Sequence, residues 1–248
     1  MSKKITAAAG LAAGFAATAW AVRGRSSFVF DHSFWRGEPG RKAIALTFDD
    51  GPTPSTPDVL DLLDRHNVPA TFFQIGGNVE RHPEIAREVL AQGHEIGNHS
   101  QTHINFALKP AQLIEGDFSH AQSVIEDATG FTPTLMRAPY GVRWFGFRQM
   151  QAKLRLRGIM WTVIGLDWKL SADAIADRVL SRVTDGAIIC LHDGRELAEN
   201  PDITPTLEAL RRIIPSLAEA GYHFETISQL LWPANPLPPD RTASPSAS

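Results

Sequence analysis

The chain has 248 residues, 43% of them hydrophobic, with a formal net charge of −3 and one cysteine, Cys190. That length and apolar content support one sizeable core and exclude a fibrous or wholly disordered chain. Mixed charges without a dense Lys/Arg run argue against a nucleic-acid partner, and a single cysteine excludes an intramolecular disulfide scaffold.

At the N-terminus Lys3 and Lys4 precede an uncharged, Ala- and Gly-rich run, Ile5–Val22, followed by Arg23 and Arg25. A short positive start, an apolar stretch and Ala19-Trp20-Ala21 read as a secretory signal cut after Ala21. The run is also about long enough to stay as a membrane tether, which needs roughly 17–25 apolar residues. The plainer alternative is an Ala-rich helix packed on the domain. Residues 1–40 are therefore expected to be a signal or anchor segment with a linker, which would place the folded domain outside the cytoplasmic membrane. Residues 233–248, rich in Pro, Ala and Ser, are expected to form a disordered tail. The folded domain is expected over 41–232.

Within it, short β-favouring runs alternate with segments of helical period. The expected strands are Ala43–Phe48, Ala70–Ile75, His94–Asn98, Thr134–Arg137, Gly158–Ile164, Ala187–Leu191 and His223–Ile227. The expected helices are Thr56–His66, Glu80–Gln92, Ala111–Thr129, Phe147–Leu156, Ser171–Val183 and Thr204–Ala220. Pro57 suits a first helical turn, and Gly93, Gly130 and Gly221 suit helix stops. Seven strands with long crossovers imply a parallel sheet. A distorted (β/α) barrel with about seven strands is the expected α/β fold, and an open doubly wound sheet is the alternative. Both architectures put chemistry after the carboxyl ends of the strands.

The residues at those addresses are polar. Asp49-Asp50-Gly51-Pro52 follows the first strand: a turn needs only one of the two carboxylates, and a metal would offset their repulsion. His99-Ser100-Gln101-Thr102-His103 follows the third strand, and its two histidines would share a face if the chain makes a helical turn. Two imidazoles and a carboxylate leave positions free for water and substrate, as in a catalytic metal site. Arg137-Ala138-Pro139-Tyr140, Asp167-Trp168 and His192-Asp193 follow the next three strands.

These residues resemble the five motifs of the polysaccharide deacetylase family, the NodB-homology domain of carbohydrate esterase family four. The matching stretches are Thr47-Phe48-Asp49-Asp50-Gly51-Pro52, His99-x3-His103, Arg137-Ala138-Pro139-Tyr140, Asp167-Trp168 and Cys190-Leu191-His192. The resemblance implies divalent-metal hydrolysis of acetyl groups, chiefly N-acetyl, on a carbohydrate polymer. Peptidoglycan, chitin-like glycans, an exported polysaccharide and acetylxylan are all within what it implies. It gives Asp50, His99 and His103 as metal ligands, with Zn2+ expected and Co2+, Ni2+ or Mn2+ as alternatives. Asp49 is implied as the general base, Arg137 as its partner, and the Tyr140 backbone N–H as an oxyanion donor. His192 is implied as the acid held cationic by Asp167, and Trp168 and Leu191 as the wall around the acetyl methyl. Two departures stand out: Ile164 where the fourth motif often has an aspartate, and Cys190 where the last motif begins with leucine. The rival readings are a metal-dependent amidohydrolase on a small amide and a catalytically inactive glycan-binding protein. The first fits poorly with export, and the second with the retention of every ligand and of the acid–base pair.

Overall fold

The computed structural model describes Gly14 and residues 16–233. Its centre is β2 (Ala43–Asp49), every residue of which is buried. β3 (Ala70–Gln74) and β8 (Ile188–His192) flank it, each paired parallel to it. Beyond β3 follow β4 (Glu95–Asn98), β5 (Leu135–Met136), β6 (Arg157–Ile159) and β1 (Ser33–Phe34); beyond β8 lies β7 (Val163–Ile164). β9 (His223–Phe224) also pairs with β2, and all these ladders are parallel. The sheet carries helices α1 (Thr56–Arg65), α2 (Gly76–Arg81), α3 (Pro83–Ala91), α4 (Ala111–Thr129), α5 (Phe147–Leu154), α6 (Ala172–Leu180), α7 (Thr204–Glu219) and α8 (Ile227–Leu231). This is the distorted (β/α) barrel expected from the alternation of the sequence.

Period-two alternation sorts the strands into two faces. Ile44, Leu46 and Phe48 of β2 join Ile189 and Leu191 of β8 in the main core, with Leu60 and Leu63 of α1 and Ile213 and Ile214 of α7. The intervening Ala43, Ala45 and Ile188 face the barrel interior, where Phe73, Leu135, Ile159 and α8 residues Ile227 and Leu230 fill one end. Small residues on β2 leave room there for a larger aromatic from β3. A third cluster, Phe106, Phe118, Met136, Phe147 and Met150, packs α4 against α5.

Several expected boundaries are corrected. The strand expected over Gly158–Ile164 is two strands: β6 pairs β5 and β7 pairs β8, so this one stretch bridges the two sides of the sheet. The helix expected over Glu80–Gln92 breaks at His82, because Pro83 cannot continue the preceding helix. Ile227 does not end a strand but opens α8, where Thr226 forms a capping box with Gln229. The end of α4 at Gly130 holds, with φ of 72° there.

The sheet also begins earlier than Arg41. β1 pairs with β6, and Arg143 fastens the chain before it. The Arg143 guanidinium meets Asp31 at 3.0 Å and donates to the carbonyls of Ser27 and Gly24, while its N–H donates to the Val22 carbonyl at 3.0 Å. Both Arg143 and Asp31 are buried. Residues 16–23 are helical, and no helix among the described residues is long and apolar enough to cross a membrane. Most of the candidate signal or anchor run Ile5–Val22, and all of the expected tail beyond Pro233, lie outside the described residues.

Candidate active site

The carboxyl ends of β2, β4, β5, β7 and β8 converge on one cleft of about 480 Å³. Interior-facing alternation delivers Asp49 at the end of β2 and Cys190 and His192 on β8, with Asp49 and His192 directly paired in register. Asp50 follows with φ of 76°, which turns its side chain toward the histidine loop. Gly51 is required there: a Cβ at this position would lie 2.1 Å from an Asp193 carboxylate oxygen.

His99 and His103 do converge, but not through a helical turn. The loop is irregular, with left-handed Ser100 (φ 68°) and His103 (φ 53°). Asn98 Oδ1 accepts from the Ser100 N–H at 2.9 Å, and Ser100 Oγ accepts from the His103 N–H at 3.1 Å. Side-chain-to-backbone bonds thus replace the expected turn. The two rings end 5.0 Å apart by centroid. The His99 Nδ1 donates to the Arg137 carbonyl at 2.8 Å, which fixes the tautomer and leaves the Nε2 lone pair for a ligand.

Asp50 Oδ1 lies 3.5 Å from His99 Nε2 and 3.1 Å from His103 Nε2, and all three side chains are buried. That oxygen has no hydrogen-bond partner among the described residues. A buried, unpartnered carboxylate oxygen facing two imidazole nitrogens suits a divalent cation. Burial pushes the Asp50 pKa up, but the adjacent His103 and His99 rings outweigh it and hold the carboxyl well below the usual range. The Asn78 amide donates to the Asp50 carbonyl at 2.6 Å and the Glu196 N–H to Oδ2 at 2.9 Å, orienting the carboxylate.

Asp49 and Arg137 form the second part of the site. Arg137 Nη1 donates to Asp49 Oδ1 at 2.6 Å and to Thr47 Oγ1 at 2.7 Å, and its guanidinium lies 4.1 Å over the Phe73 ring centroid. Cys190 Sγ–H donates to the other Asp49 oxygen at 3.5 Å. His192 and Asp167 form the third part. Asp167 Oδ1 accepts from His192 Nδ1 at 2.8 Å, and Oδ2 accepts from the His192 N–H and from Thr206 Oγ1, each at 2.8 Å. Burial alone would lower the His192 pKa, but the Asp167 charge and hydrogen bond raise it to about 9. The same pairing lowers Asp167 against the effect of its own burial.

Tyr140 adopts φ of 57° in the 3-10 turn Pro139–Gly141, packs its ring 4.7 Å from His103 and donates its hydroxyl to Glu196 at 2.7 Å. Trp168 stands edge-on to His192 at 5.0 Å and lines the cleft. Leu191 does not line it. One residue out of phase with Cys190 and His192, it points to the helix layer and is fully buried in the main core. Strand alternation gives its expected place in the wall to Cys190, alongside Trp161 and Ile164. Arg195 and Glu196 of the loop after β8 and Arg23 complete the rim; no motif marked them.

The chain belongs to the polysaccharide deacetylase family, whose profile matches residues 36–159. It is 38% identical over 200 residues to a chitooligosaccharide deacetylase of Bradyrhizobium sp. (strain ANU 289), covering 77% of this chain and 91% of that one. It is 39% identical over 191 residues to a peptidoglycan-N-acetylglucosamine deacetylase of Listeria monocytogenes, covering 76% of this chain but 39% of that longer protein. Among solved structures, the Bc1960 peptidoglycan N-acetylglucosamine deacetylase superposes with a TM-score of 0.75 at 32% identity, covering 79% of this chain and 91% of that one. The protein is thus a carbohydrate deacetylase.

Proposed function

We propose that the enzyme removes N-acetyl groups from a glycan containing N-acetylglucosamine, either peptidoglycan or a chitin-like oligomer, outside the cytoplasmic membrane. One observation carries this reading: the buried Asp50–His99–His103 cluster lines the same cleft as Asp49, which is paired with Arg137, and His192, which is paired with Asp167. The names of the similar relatives support the sugar, a chitooligosaccharide in one and peptidoglycan N-acetylglucosamine in the other. The start of the sequence, with its uncharged run between Lys4 and Arg23, supports the location.

Asp50, His99 and His103 would hold a divalent metal, with Zn2+ first by its preference for nitrogen and oxygen donors in an open site. When bound, the ion supplies Lewis acidity that polarises the acetyl carbonyl and acidifies the attacking water. Asp49, oriented by the Arg137 guanidinium, takes the proton from that water. The Tyr140 N–H donates to the oxyanion as charge develops on the carbonyl oxygen. His192 Nε2, kept protonated by Asp167, gives its proton to the leaving nitrogen. Trp168, Trp161 and Cys190 wall the acetyl methyl. The negative partner beside the acid keeps the His192 proton in place through neutral pH.

Acetate release from chitooligosaccharides, peptidoglycan and acetylxylan, each with and without chelator, tests the reading. Chelator-sensitive release from the first two is expected. Release from acetylxylan alone would overturn the N-acetyl assignment. A topology reporter fused after Trp232 should be active only outside the cytoplasmic membrane.

A further inference from the structure

Cys190 lines the cleft, yet the proposed deacetylation makes no use of its thiol. Its Sγ lies 3.5 Å from Asp49 Oδ2, and donor atoms of Asp49, Cys190 and His192 all fall within 4.8 Å of one another. The three side chains bring three different donors: a carboxylate oxygen, a sulfur and an imidazole nitrogen. His192 presents Nε2, because Nδ1 is held by Asp167. Zinc bonds of about 2.3 Å to sulfur and about 2.1 Å to oxygen place two tetrahedral ligands about 3.6 Å apart. The Cys190–Asp49 pair already has that spacing. A leucine, which the last motif of the family would bring to this position, could not ligate.

We propose that Asp49, Cys190 and His192 form a second cation site, adjoining Asp50–His99–His103 (Asp49 Oδ2 lies 3.9 Å from His99 Nε2), that takes a thiophilic divalent ion such as Zn2+ in excess or Cd2+. Sulfur is the donor that selects such ions, while oxygen-seeking Mg2+ or Ca2+ gains little from it. On binding, the ion replaces two protons, one from the Cys190 thiol and one from His192 Nε2, both of which leave to solvent, and is held by the thiolate and the freed Nε2 lone pair. No group is oxidised or reduced. The functional consequence rests on the roles proposed for Asp49 and His192: both become ligands at once, so the second ion inhibits.

Cd2+ alone is the probe. Equilibrium dialysis of the chelator-stripped full chain should give two Cd2+ per chain, with a thiolate-to-cadmium charge-transfer band in the ultraviolet. Cys190→Leu should bind one Cd2+ without the band. Its second-ion affinity should fall by at least about tenfold, the lower end of what even an outer-shell change costs a metal site. Cys190→Ser, close in size to the native residue, should behave like Cys190→Leu and guards against misfolding as the cause. Turnover of the wild type should fall with the second equivalent, while each variant, compared with its own rate at one equivalent, should not. One equivalent in the wild type, or a second without the charge-transfer band, would overturn the site. A second equivalent with the band but undiminished turnover would uphold the site and overturn the base and acid roles instead.

Discussion

The Arg137 guanidinium reaches Asp49 at 2.6 Å across a contact closed to water on both sides, with Arg137 fully buried and Asp49 3% exposed. Such a pair is costly to break from one side, because the remaining charge stays buried without a partner. Arg137→Met should lower unfolding free energy by about 3–5 kcal/mol, read from urea midpoints. Asp49→Asn keeps a hydrogen-bonding group and should fold. It should retain its metal while losing about 10²–10⁴-fold in turnover, the usual contribution of a general base. Metal analysis of the purified Asn variant checks this; loss of the ion would move Asp49 into the ligand set.

His103→Ala should fold but lose the bound ion and nearly all turnover. In the wild type, a ligand at a hundredfold its Kd adds about 2.7 kcal/mol to stability. Chelator should therefore lower the wild-type Tm while leaving that of His103→Ala in place. Thermal scans of both proteins with and without chelator decide it.

His192, as the proposed acid, should set the alkaline limb of the pH–rate profile. His192 is raised to about 9, so it keeps its proton through neutral pH. Asp167→Asn removes the charge that raises it and should move that limb to lower pH, toward the ordinary value of about 6.5. The pair also links stability to pH. The His192 contribution is present in full below about 6.5 and is lost as pH rises through about 9. The Asp167 contribution is present above about 3.9 and is lost as pH falls through its lowered value. Urea midpoints against pH in the wild type and Asp167→Asn should show both losses in the first and neither in the second.

Asp193 behaves in the opposite sense to an ordinary carboxylate. Burial first, with the Asp50 and Asp49 charges adding to it and the Thr56 hydrogen bond opposing, pushes it up to about 7. Its neutral form is the one the fold favours, so its contribution is complete below about 3.9 and is lost as pH rises through about 7. Asp193→Asn should remove this dependence. Its stability relative to the wild type should climb between about pH 4 and pH 7 and then level off, measured on chelator-treated protein.

Leu191 and Trp168 separate core from cleft. Leu191→Ala should cost about 2–5 kcal/mol of stability, as a buried leucine does, and leave KM little changed. Trp168→Ala, which removes a side chain 48% exposed, should raise KM with little effect on the urea midpoint.

Much of the fold and site was legible in the sequence because parallel strands advertise themselves as buried runs, and their carboxyl ends carry the polar residues. Asp49, Asp50, His99, His103, Arg137, Asp167 and His192 all meet as their positions suggested. What escaped was local. The His99–His103 loop satisfies its backbone through Asn98 and Ser100 rather than a helical turn, a choice that spacing alone does not encode. Leu191 was placed by motif, while the strand period, equally visible, puts Cys190 in the cleft. β1 escaped because two residues leave no periodic signal. Its support comes from Arg143, distant in the chain, and a buried arginine looks like any other in a sequence.

β2 has neighbours of very different chain distance: Asp49 pairs with Phe73 on one side and with His192 on the other. The first pairing closes a short loop, and the second must wait until most of the polypeptide has been made. Asp50, His99 and His103 all precede residue 104, so the proposed ion-binding half can be assembled while the ribosome is still at work. His192, the proposed proton donor, arrives last, with β8. Nascent chains stalled before β8 should therefore capture metal yet remain inert, and the slow step of refolding should report the docking of β8 along β2.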